Sequence, residues 1–239
     1  MQLNKRKSKS QQIHHGIAIK WLSLLLLTGI PSNTYSQTNN TSTYQSASLP
    51  SKTDKKRDAE QLGMALEYFT SGKYHESLLI FQKLAGHYRL NPRYTAYMGV
   101  CYYYEWEYAE AIKCFDAAIP KLDKFSPLER SFYYWADAES YFALQQYARA
   151  IPLYIKRLQF CHDNEKSDAH YRLGFCYLFL EDWANAWIYF REARVGYQQY
   201  RSVDEKSRIA QIDHMIKGLD EKVAKAILTH IGINKAKGK

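Results

Sequence analysis

Met98-Gly99-Val100-Cys101-Tyr102-Tyr103-Tyr104-Glu105-Trp106-Glu107-Tyr108-Ala109-Glu110-Ala111-Ile112-Lys113-Cys114-Phe115 decides the reading of this chain. A small residue, Gly99, is followed three positions on by Tyr102, six further by Tyr108, and then by Ala111 and Phe115. The spacing recurs three more times: Ala65, Tyr68, Tyr74, Ser77, Phe81; Ala138, Tyr141, Tyr147, Ala150, Tyr154; and Gly174, Tyr177, Trp183, Ala186, Phe190. The leading tyrosines, 68, 102, 141 and 177, stand about 34 to 39 residues apart, the length of a helix pair with its turns.

Within each copy two apolar stripes recur at three- and four-residue steps, broken by a short turn before the mid-repeat aromatic. The quoted stretch predicts one helix over about Arg93–Tyr104 and a second over about Tyr108–Ile119. Gly99 and Ala111 let the two approach where they cross, and Tyr102 and Phe115 fill the space beside the crossing. A lone hairpin cannot bury both of its faces, so each copy needs a neighbour.

Met98-Gly99-x-x-Tyr102 with Ala111-x-x-x-Phe115, and Leu173-Gly174-x-x-Tyr177 with Ala186-x-x-x-Phe190, resemble tetratricopeptide repeats. The resemblance covers roughly residues 58–200 and implies an all-α fold. The expected architecture is a right-handed solenoid of about four hairpins. There are departures. Arg157 replaces the usual small closing residue of the third copy, and Leu84 replaces it in the first. The turn glycine survives only as Gly72, with Trp106, Gln145 and Glu181 at the matching positions. The connections Lys121–Pro127 and Cys161–Ser167 are read as loops longer than the minimal repeat.

Ahead of the repeats, Lys5, Arg6, Lys7 and Lys9 precede an apolar run from Trp21 to Ile30, then Pro31 and small polar residues. This is the layout of a secretory signal over residues 1–36, cleaved near Ser36. The run is shorter than the roughly 20 residues a membrane span needs. Export, with a periplasmic destination, is the expectation; tethering by an uncleaved signal anchor is the alternative. Residues 37–57, rich in Ser, Thr and Asn, read as a flexible linker. The formal net charge of +9 includes five leader residues, Lys5, Arg6, Lys7, Lys9 and Lys20, and +4 remains without them. That balance makes no case for nucleic acid as a partner.

The four cysteines, Cys101, Cys114, Cys161 and Cys176, match no CxxC pattern. Buried free thiols are the preferred reading, and a Cys161–Cys176 bridge is the pairing to test. After Tyr200 the repeat spacing stops. Ile209, Ile212, Ile216, Leu219 and Val223 form an apolar stripe on a helix expected over about Val203–Thr229. In residues 201–239 this helix caps the last hairpin, because a solenoid needs a terminal cover. Pairing with a second copy of the chain or with another helix is the other use of such a stripe.

No HExxH pair, GxSxG elbow or phosphate-binding glycine loop is present, so neither catalysis, nor a metal, nor a cofactor is expected. Cys161-His162-Asp163 are sequence neighbours and do not face one another as a nucleophile and base must. The family resemblance implies instead a concave groove lined by the first helix of each pair. Carried onto this chain, that face holds Phe69, Arg93, Tyr103, Tyr104, Phe132, Trp135, Phe142, Tyr171, Phe175 and Phe179. Its density of rings suits an apolar or aromatic segment of another protein, as for a scaffold or adaptor. Two alternatives stay open: an envelope carbohydrate such as peptidoglycan, using Arg93, Glu139, Asp168 and Arg172, and a purely structural role in an envelope assembly.

Overall fold

The structure, a computed structural model, describes residues 52–236, which contain nine α-helices and no strand. They are α1 (Lys52–Thr70), α2 (Tyr74–His87), α3 (Pro92–Tyr104), α4 (Tyr108–Ala118), α5 (Pro127–Ala143), α6 (Tyr147–Phe160), α7 (Asp163–Phe179), α8 (Trp183–Arg201) and α9 (Lys206–Ala236). A 3-10 turn, Ile119–Lys121, follows α4. Helices α1 to α8 form four hairpins in the register read from the repeat. The expected signal segment and most of the expected linker lie outside the described residues.

Local chemistry sets the helix ends. Asn91 accepts from the Arg93 amide at 2.9 Å and Pro92 opens α3; Ser126 accepts from the Glu129 amide at 3.2 Å and Pro127 opens α5. Asp182 caps α8 through the Asn185 amide at 3.1 Å. Each cap satisfies an N–H that has no partner within its helix.

The four intra-hairpin turns share one hydrogen-bond pattern. In the first, the Gly72 amide donates to Phe69 carbonyl oxygen at 3.1 Å and the Lys73 amide to that of Tyr68 at 2.8 Å. Trp106 and Glu107, Gln145 and Gln146, and Glu181 and Asp182 repeat it. These paired bonds require a left-handed residue after the helix. Gly72 takes it at φ 74°, and Trp106, Gln145 and Glu181 take it at 67°, 60° and 59°. The three departures from glycine therefore keep the glycine conformation.

The chain divides after Lys124 into two compact units. In the first, α1 to α4, the crossing of α3 and α4 is closed by Gly99: a Cβ there would stand 2.8 Å from Phe115 Cε1. In the preceding hairpin the buried Ser77 hydroxyl donates to the Ala65 carbonyl at 2.8 Å. Tyr97 joins the two hairpins, stacked on Phe69 at 4.5 Å and 6.3 Å from Phe81. In the second unit, α5 to α9, Gly174 repeats the role of Gly99, with a Cβ 2.7 Å from Phe190. Ile212 and Leu219 of α9 are buried with Ala186, Phe190, Ala193 and Tyr197 of α8, so α9 caps the fourth hairpin.

Three expectations need correction. Residues 52–57, assigned to the flexible linker, are the start of α1; their charges support a helix through pairs such as Asp54–Arg57 at 3.0 Å, which composition does not reveal. Residues 163–167, assigned to a loop, are the first turn of α7, with Asp163 and Lys166 paired at 2.7 Å. The cap helix starts at Lys206 rather than near Val203 and runs to Ala236 rather than Thr229. All four cysteines are free thiols; Cys101 and Cys176 are buried, Cys114 and Cys161 half-buried, and no Cys161–Cys176 bridge forms.

Candidate functional site

The ten expected groove residues fall into three groups, with Phe132, half-buried against Tyr133 and Trp135 at 6.1 and 5.5 Å, belonging to the second. Phe69, Tyr103 and Trp135 are buried and offer no surface to a partner, a correction to their assignment. Phe69 lies between Tyr97 and Tyr74, at 4.5 and 5.7 Å. Trp135 stacks with Phe132 at 5.5 Å, and the Arg157 guanidinium stands 5.6 Å from its ring centre. Arg157, the anomalous closing residue of the third copy, is itself buried and fills the space over the indole.

A second group is half-buried by internal partners. Arg93 reaches over the Tyr97 ring at 5.7 Å. Tyr171 donates its hydroxyl to Gln211 of α9 at 2.9 Å, and Arg208, also of α9, lies 5.2 Å from its ring. Phe175 meets Tyr171 and Phe190 edge-on, at 4.9 and 5.1 Å. The cap helix thus serves the Tyr171 end of this face.

The third group lies toward the turn ends. In the second unit Phe179 of α7 stacks on Tyr147 of α6 at 4.7 Å, with Phe142 edge-on to Tyr147 at 5.3 Å and 6.2 Å from Phe179. Phe179 is 50% exposed, and the turn residues Leu144 and Leu180 that follow α5 and α7 are 39% and 45% exposed. In the first unit Tyr104 stacks on Tyr74 at 4.2 Å in the equivalent register. Burial raises the Tyr104 hydroxyl to about 12 and Tyr74 further, so both rings stay neutral at physiological pH.

Charges beside the rings are committed internally. Arg172 grips the buried Glu139 with two bonds, Nε to Oε1 at 2.8 Å and Nη2 to Oε2 at 2.6 Å, while its guanidinium covers Phe142 at 4.6 Å. Tyr154 donates a third bond to Glu139 at 2.7 Å. Asp168 accepts from Tyr197 and Arg201 at 2.7 Å each and from Arg208 at 3.2 Å, tying α7, α8 and α9 together. Among the described residues no group of three His, Cys, Asp or Glu side chains is placed to hold a metal ion.

Sequence reasoning named Phe142 and Phe179 for the groove, read Tyr147 only as part of the packing framework, and did not name Leu144 or Leu180. The available signal was two leucines beside the turn position in the third and fourth copies, where the first two carry Ser71 and Glu105.

No family model matches the chain, and no curated protein shows significant similarity to it. Solved structures do resemble it in fold. The apo form of RapI is 12% identical, with a TM-score of 0.54 over 75% of this chain and 68% of that one. MamA from AMB-1 is 15% identical, with a TM-score of 0.50 over 70% of this chain and 94% of its own. At such identities the likeness is one of fold alone: an all-α arrangement of helical hairpins.

Proposed function

We propose that this protein is a non-enzymatic adaptor that binds an apolar or aromatic segment of another protein at the turn edge of its second unit. The observation carrying this reading is the ring cluster Phe142, Tyr147 and Phe179 beside the exposed Leu144 and Leu180. Large apolar side chains gathered on one exposed edge are characteristic of interaction sites. Rings with few rotatable bonds lose little entropy when covered, which suits them as anchors.

The carbohydrate alternative is weaker, because the polar groups such a site needs are engaged within the chain. Glu139 and Arg172 bind each other, and Asp168 holds three donors. Export to the periplasm remains part of the proposal, supported by the basic and apolar run of residues 5–30. No helix among the described residues is long and apolar enough to cross a membrane.

The test is site-specific photocrosslinking in cells, with p-benzoylphenylalanine in place of Phe179 and, as control, of the exposed Leu79 on α2. A discrete protein adduct from position 179, absent from position 79 and lost when Phe142 is changed to Ala, is the expected result. Equal labelling from both positions, or none, removes this edge from consideration.

A further inference from the structure

We propose that the cleft between the α1–α2 and α3–α4 turns of the first unit is a recognition site for an arginine side chain of a protein partner. The cleft has a volume of about 450 Å³, enough for a guanidinium and its stem, and the stacked Tyr74 and Tyr104 rings form one wall. Trp106 stands at its edge with φ 67°. A bulky residue in that region costs about 1–2 kcal/mol, which Gly72 avoids at the matching turn. Gln145 and Glu181 bear the same strain with polar side chains that water solvates. Trp106 instead presents an indole that is 62% exposed and makes no ring contact among the described residues, so nothing in this unit offsets its cost.

The electrostatics around that indole select a cation. Glu76 lines the cleft and makes no hydrogen bond or ion pair among the described residues. Glu105 lines it as well, held by His75 Nδ1 at 3.1 Å. The single lysine of the lining, Lys73, is drawn toward the Tyr68 ring, 5.4 Å from its centre. Carboxylates lining one cleft with a largely exposed indole match the planar guanidinium, which stacks on aromatic rings while donating two parallel hydrogen bonds to a carboxylate. An ammonium is more strongly hydrated and lacks the fork. This site shares no residue with the ring cluster of the second unit, and either can fail without the other.

The test uses the full chain labelled with 5-fluorotryptophan, the Trp106 fluorine signal being assigned by its loss in Trp106→Phe. Acetyl-Gly-Arg-Gly-amide is titrated in parallel with its citrulline counterpart, which keeps the shape and lacks the charge, and with N-acetylglucosamine. The expected result is a saturable shift of the Trp106 signal with the arginine peptide. Binding should be at least about fivefold weaker with citrulline and weakened likewise in Glu76→Gln, while the Trp135, Trp183 and Trp187 signals stay fixed. Absence of a shift, an equal response to citrulline, indifference to Glu76→Gln, or a response to the sugar in place of arginine each overturns the proposal.

Discussion

Phe179 of α7 stacks on Tyr147 of α6 across two hairpins, 4.7 Å between centroids, in the register in which Tyr104 of α3 meets Tyr74 of α2. The contact joins the last turn of one helix to the first turn of the helix before it. It leaves half of Phe179 in water, whereas Trp135, on the same expected face, is shut in by Arg157 and Phe132. Phe179→Ala should therefore cost no more than about 1.5 kcal/mol, the worth of a stacked pair. Trp135→Ala should cost about 3–5 kcal/mol as a cavity in the core. Urea denaturation of both variants separates them; equal losses would show that the burial difference has no energetic meaning.

The glycines divide by what surrounds them. Gly174→Ala and Gly99→Ala push a methyl into Phe190 or Phe115, and overpacking of about 1–3 kcal/mol outweighs the helix-propensity gain of about 1. Gly63→Ala and Gly218→Ala meet nothing within 4 Å and keep the gain. Thermal melts should move down for the first pair and up by about 2–4 °C for the second.

Gln145→Gly and Glu181→Gly should each stabilise the protein by about 1 kcal/mol, since glycine adopts their left-handed backbone freely. The matching substitution at a helical neighbour, Ala143→Gly, should destabilise by a similar amount. Chemical denaturation of the three variants checks both signs.

The Glu139–Arg172 pair bridges α5 and α7 with little water around the carboxylate. Arg172→Met leaves that carboxylate held by Tyr154 alone and should cost about 3 kcal/mol. Adding Glu139→Gln removes the orphaned charge and should recover part of the loss. A double-mutant cycle measures the coupling, and strict additivity would rule it out.

Alkaline pH should unfold the protein in a definite window. Burial pushes the Cys101 and Cys176 thiols up to about 12 and Cys114 to about 11, from the ordinary 9 they regain on unfolding. The unfolded chain therefore holds fewer protons above pH 9, so stability is complete below 9 and falls as pH rises toward 12. Urea midpoints at pH 8, 9.5 and 11 should decline together. The decline should be shallower in a Cys101→Ala, Cys176→Ala double variant.

The sequence made the hairpins legible because their specificity is local. Gly99 and Phe115 lie sixteen residues apart in one helix pair, and their small-to-large fit repeats in every copy. The destination of the rings was harder to read. Phe69, Trp135 and Phe179 all lie on first helices, but the repeat spacing does not distinguish a ring that neighbours enclose from one they leave in water. Trp135 is enclosed because Arg157 replaces a small residue twenty-two positions later, a pairing that no periodicity announces. The Asp168 network was equally hidden, since its partner Arg208 comes from a helix forty residues on.

At each hairpin tip two main-chain bonds close the turn, and the side chain of the left-handed residue takes no part in them. Tryptophan, glutamine and glutamate have all been accepted at these positions in one molecule. The tips are consequently where mutation can redraw molecular recognition at a fixed, small thermodynamic toll while the architecture beneath stays as it was.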